Sequence, residues 1–73
     1  MEYSPWVMNM DNRIRELLYV KSLTQEELAQ ITGIAQPTLS RIINGKKEVY
    51  LETAFIIAKA LGCSIEEVFT WPG

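Results

Sequence analysis

Three glycines, Gly33, Gly45 and Gly62, each stand at or just past the end of a run of apolar residues at helical spacing. That punctuation constrains the fold more than any other feature, because a glycine that accepts the left-handed conformation closes a helix. The starts are marked as clearly. Thr24 with Glu27, and Ser64 with Glu67, have the spacing of a capping box, in which the hydroxyl and the carboxylate each satisfy a backbone N–H at the helix start. Asp11 is the candidate cap of a first helix that carries Ile14, Leu17 and Leu18 through about residue 21. The second helix runs from Thr24 with Leu28 and Ile31. The third spans 36–44 with Leu39, Ile42 and Ile43, with Pro37 in its tolerant first turn. The fourth spans 51–61, and the fifth follows Ser64 through Val68 and Phe69. Helices shorter than about 12 residues are marginal alone in water, so these must share one core. The expected class is all-α, a compact five-helix domain over residues 11–73 with an N-terminal arm over 1–10. No segment has a convincing strand pattern, although residues 3–8 and 49–51 suit an extended chain.

Composition narrows the function. With no histidine and the single Cys63, the chain lacks an imidazole base, an internal disulfide and the ligands of a zinc cluster. Ser40 has no base near it in sequence, so an enzyme is not expected, nor a cofactor, a metal or a small-molecule ligand. Cys63, beside Gly62, reads as a small, partly buried thiol. No apolar run reaches the roughly 18 residues of a membrane span, and the N-terminus has no secretory pattern, so a cytoplasmic protein without a membrane partner is expected.

The net charge of −2 argues against nucleic acid only until the charges are placed. Residues 28–47 contain Arg41, Lys46 and Lys47 and no acid, whereas Asp11, Glu26, Glu27, Glu52, Glu66 and Glu67 fall at predicted helix starts, where carboxylates favour the positive dipole end. At about 100° per residue, Gln36, Pro37, Ser40, Arg41 and Asn44 share one arc of the third helix. Leu39 and Ile42 face the other way, with Thr38 and Ile43 at the margins. The polar arc suits base edges: glutamine pairs with adenine, arginine with guanine, serine is permissive, and a proline surface meets a thymine methyl.

The run TQEELAQITGIAQPTLSRIING resembles the helix-turn-helix of the Cro and phage-repressor (XRE-type) family, whose second helix enters the major groove. Ala29 stands where that family needs a small residue at the helix crossing, Gly33 where it needs the left-handed turn, and Leu28, Ile34, Leu39 and Ile42 where it needs apolar wedges. The tail LETAFIIAKALGCSIEEVF is similar to the family's last two helices. The resemblance implies a lambda-repressor-like fold and a prokaryotic or phage transcriptional regulator that binds double-stranded DNA. It implies base contacts at Gln36, Pro37, Ser40 and Arg41, and phosphate contacts at Gln25, Thr38, Asn44, Lys46 and Lys47. Arg13 and Arg15 are expected to be surface residues without a specific contact. Ile56 stands where the family commonly carries a charged residue, and three positions of the two-helix unit also depart from the family pattern. Ala35 replaces a capping Ser or Thr, Pro37 replaces a polar side chain, and Thr32 replaces an aliphatic residue, tolerable if its hydroxyl bonds to the carbonyl four residues earlier.

The predicted fourth helix is nearly apolar all round, and Phe55, Ile56, Val68, Phe69 and Trp71, with Tyr3 and Trp6 of the arm, form a candidate dimer interface. A homodimer on a palindromic operator, repressing by occlusion, is the expected mechanism, since little chain follows Trp71 to serve as a sensor. The rival is an antitoxin-like or other protein-interaction module working through the same apolar surface. A back-folded arm covering that surface within one chain is the other alternative.

Overall fold

The computed structural model describes residues 7–8 and 11–70, with five helices: α1 (Ile14–Val20), α2 (Gln25–Thr32), α3 (Gln36–Ile43), α4 (Leu51–Leu61) and α5 (Ile65–Val68). The longest has 11 residues, so tertiary packing rather than helix propensity holds them. Each helix with periodic apolar residues turns that stripe inward. Ile14 and Leu18 of α1, Leu28 of α2, and Leu39, Ile42 and Ile43 of α3 meet Ala54, Ile57, Ala58 and Leu61 of α4 in one cluster. Among the described residues no polar or charged residue is buried. Ile31 departs from the expected stripe, lying exposed on α2 while Leu28 carries the burial.

Both capping boxes form. The Thr24 hydroxyl accepts from the Glu27 N–H at 3.0 Å while the Glu27 carboxylate accepts from the Thr24 N–H at 2.8 Å. Ser64 and Glu67 do the same at 3.2 and 2.7 Å. Those hydrogen bonds from Ser64 hold the Glu67 carboxyl below its ordinary pKa. The first helix is capped differently from the expectation at Asp11. Asp11 lies in a strand, and the Ile14 N–H is met by Asn12 Oδ1 at 3.0 Å.

The absence of strands is the other correction. Four two-residue strands form two antiparallel ladders: β1 (Val7–Met8) with β3 (Val49–Tyr50), and β2 (Asp11–Asn12) with β4 (Phe69–Thr70). Val7 pairs with Tyr50 and Asp11 with Thr70. The pairs tie the start of the chain to the loop before α4 and to the segment after α5. Residues 7–8 of the predicted arm thus join the fold, while Tyr3 and Trp6 of that arm, and Trp71, lie outside the described residues.

Candidate nucleic-acid interface

The turn between α2 and α3 is built from residues whose chemistry suits it. Gly33 adopts φ 77° and donates its N–H to Ala29 at 2.8 Å. A Cβ added there meets nothing within 4 Å, so what selects glycine is the left-handed backbone and not crowding. Thr32, the departure from the family pattern, donates its hydroxyl to the Leu28 carbonyl at 2.8 Å and accepts from the Ile34 N–H at 3.2 Å. One side chain thereby closes α2 and starts the turn. Ala29 and Ile34 both pack half-buried against the core.

α3 then separates two chemistries. Leu39, Ile42 and Ile43 are buried, and Gln36, Pro37, Arg41 and Asn44 are exposed. Ser40 and Thr38 are half-buried at the edges of the exposed arc. The start of α3 lacks a side-chain cap, as expected of Ala35, and Pro37 sits in the first turn where its missing N–H leaves nothing unpaired. Gln25, expected at a phosphate, is the first residue of α2 and half-buried. The box at that helix start occupies the N–H groups of Thr24 and Glu27. A helix start leaves its first N–H groups without helical partners, so those of residues 25 and 26 remain open to an anion.

The other end of α3 is tied from outside the two-helix unit. Asn12 Nδ2 donates to the carbonyls of Ile42 and Ile43 at 3.1 and 3.3 Å, satisfying acceptors that a helix end leaves open. Arg15 of α1 donates a hydrogen bond to Asn44 Oδ1, and Asn44 Nδ2 faces Ser40 Oγ at 3.5 Å. Gly45 follows at φ 70°, and the chain turns back so that the Lys46 N–H reaches the Arg41 carbonyl at 2.8 Å. Arg41 itself lies loosely against the Lys46 carbonyl, at 3.5 Å. Arg15, Arg41, Lys46 and Lys47, four of the seven basic residues, are therefore at or beside this end, all exposed. Arg13 is excluded from that group by its ion pair with Glu16 at 3.1 Å, which raises the guanidinium pKa and lowers that of the carboxyl. Sequence spacing gave no sign of Arg15 at this site, because its partner is 29 residues away.

The family model of the helix-turn-helix matches residues 14–68, from the first turn of α1 to the end of α5. The chain belongs to the helix-turn-helix family. It is 35% identical over 63 residues to YotL, an HTH-type transcriptional regulator derived from the SPbeta prophage of Bacillus subtilis (strain 168), a match covering 85% of this chain and 79% of the relative. Control protein C.SmaI of Serratia marcescens is 32% identical over 60 residues, covering 82% of this chain and 71% of that protein. Among solved structures, the restriction-modification controller protein C.AhdI from Aeromonas hydrophila superimposes with a TM-score of 0.72 at 33% identity, over 75% of this chain and 83% of the other. This helix-turn-helix protein is a DNA-binding transcriptional regulator, and its family is one of DNA-binding regulators. No helix among the described residues is long and apolar enough to cross a membrane.

The apolar surface of the helix-turn-helix protein differs from the one expected. Phe55 and Ile56 are exposed, at 61% and 45%, but Val68 and Phe69 are buried, at 0% and 2%, and do not offer a surface. The reason is the β2–β4 ladder. It pairs Phe69 with Asn12, and the Arg13 N–H bonds to the Val68 carbonyl at 2.7 Å, so the end of α5 is drawn into the core. Beside Phe55 lies an exposed, largely apolar groove lined by Tyr50, Leu51, Glu52, Phe55 and Ile65, with a volume near 710 Å³.

Proposed function

We propose that this regulator binds a palindromic operator as a homodimer, lays α3 in the major groove and represses by occluding the promoter. The observation that carries the proposal is the two-sidedness of α3: Gln36, Pro37 and Arg41 stand exposed over a buried underside of Leu39, Ile42 and Ile43. Gln36 suits adenine N6/N7 and Arg41 guanine O6/N7. Pro37 suits a thymine methyl, and Ser40, half-buried, takes a subordinate base contact. Gln25, Thr38, Asn44, Lys46 and Lys47 are assigned to phosphates, which set register without reading sequence. A dimer whose basic side chains neutralise about six phosphates has log affinity falling against log salt with a slope of about −5. The work is that of a cytoplasmic regulator, where its DNA is.

The dimer contact is assigned to the groove of Tyr50, Leu51, Phe55 and Ile65 with neighbouring Ile56, because exposed apolar area of this kind favours a partner. Two-fold symmetry then sets the half-sites about 34–36 Å apart. The same groove supports the second reading, a protein-interaction module of the antitoxin type. Selection of bound duplexes from a random pool, with sedimentation of the free protein, separates the two. A symmetric motif and a dimer mass are expected; a dimer that enriches no sequence favours the interaction module. Arg41→Ala is expected to weaken specific binding, relax the motif at the base it reads and keep the dimer, and Ile56→Asp to weaken the dimer and spare the reading face.

A further inference from the structure

We infer that Arg15, on the helix preceding the two-helix unit, is a further DNA-backbone contact, and that it sets Asn44 to face the phosphates with its N–H groups. The inference rests on the placement of α3 proposed above. Arg15 is exposed on α1 and donates to Asn44 Oδ1 at the C-terminal end of α3. An asparagine amide offers an acceptor at one end and two donors at the other. With Oδ1 held by a guanidinium, the amide has one orientation, and its Nδ2 is aimed along α3 toward Ser40 Oγ. What Asn44 then offers to solvent is donor character, which suits a phosphate oxygen and opposes a cation. Arg15 spends one of its five N–H donors on Asn44, and the others are open to the same backbone.

Charge placement on α1 argues the same way. Arg13 and Arg15 are two residues apart, yet Arg13 is forked onto Glu16 through Nε and Nη2 at 3.2 and 3.1 Å. Among the described residues Arg15 makes no ion pair, and it is brought beside Asn44, one residue from the Gly45-Lys46-Lys47 turn. A cation at that end of α3 also meets the negative end of the helix dipole, which holds it there before DNA arrives. Phosphate affinity is thus supplied from three places: the start of α2, the turn after α3, and α1.

The test compares the full-length wild type with Arg15→Gln and Arg13→Gln on one random-sequence duplex, measuring affinity across a salt series. Arg15→Gln is expected to make the slope of log affinity against log salt shallower by about 0.9 for each bound copy. Between 200 and 50 mM salt that amounts to about 3.5-fold less gain in affinity per copy. Arg13→Gln, which removes the same charge from the same helix, is expected to leave the slope in place. Arg15→Lys keeps the charge and is expected to keep the slope, which separates a lost phosphate contact from a fold disturbed by Gln. Equal slopes for all variants, or equal losses for Arg13 and Arg15, overturn the inference. A wild type that fails to bind the duplex at any salt instead overturns the placement of α3 on DNA, and the role of Arg15 with it.

Discussion

α2 and α3 are each eight residues long and adjoin through one turn, yet they are stabilised in opposite ways. α2 carries its own ends: the Thr24–Glu27 box at the start, and Gly33 with the Thr32 hydroxyl at the stop. It buries only Leu28 fully and leaves Ile31 exposed. α3 starts on an uncapped Ala35 and ends on bonds lent by Asn12 and Arg15, residues that precede the unit. In exchange it sinks three residues into the core and keeps its outer face free of internal partners, apart from the long contacts of Arg41 and Asn44 and the hydrogen bond that Arg15 donates to Asn44. The lesson is a division of labour. The supporting helix is specified locally, and the reading helix is held from beneath and behind so that its surface stays available.

The sharpest way to break this contrast is to remove the underside of α3. Leu39→Ala takes a fully buried side chain from the core and is expected to destabilise the domain by about 2–5 kcal/mol, measured by thermal melting with circular dichroism. Next in size, Arg41→Ala is expected to weaken specific DNA binding by about 1–3 kcal/mol while changing stability by less than about 0.5 kcal/mol, since the side chain is exposed. Titration of a selected duplex, set beside the melting curve, checks both halves. The ends follow. Thr24→Ala is expected to lose about 1 kcal/mol by destroying the box, and Ala35→Ser to gain up to about the same by supplying the cap that α3 lacks. If both changes were neutral in denaturant melts, the contrast between the helices would fail.

The smallest effect is a pH dependence of the boxed start of α5. Glu67 has a folded pKa below its ordinary value, so its contribution is present above the ordinary carboxylate range and is lost as the pH falls through the folded value. Glu16, lowered by Arg13, behaves in the same sense. Protection of the Ser64 and Glu67 amides, taken relative to their intrinsic exchange rates, is expected to fall as the pH drops through the carboxylate range, while α3, with no acid in its first turn, shows no such local step.

What was legible in the sequence is the part whose determinants are local. Thr24 with Glu27, Ser64 with Glu67, and Gly33 and Gly62 act within three or four residues, and each stands where the spacing put it. The inward row of α3 and the back-bond of Thr32 were legible for the same reason. What could not be read depends on distant partners. Two-residue strands carry no periodicity of their own, so the sequence showed 3–8 and 49–51 only as suited to an extended chain, and the pairing of Met8 with Val49 and the whole Asn12–Phe69 ladder left no local trace. From that followed the misplacement of Val68 and Phe69 on a surface, and of the first helix cap at Asp11, where the cap position is Arg13 and the Ile14 N–H is met by Asn12. The hydrogen bond between Arg15 and Asn44 is of the same kind.

The central claim, that the outer face of α3 meets the DNA, is tested most directly by backbone amide shifts of the labelled full chain on adding a duplex that holds two half-sites about 10 bp apart. The largest shifts are expected at residues 36–47, with further shifts at the start of α2 and at Arg15, while the core beneath α3 moves little. Shifts centred on residues 50–56, with Gln36 and Arg41 unmoved, would contradict it.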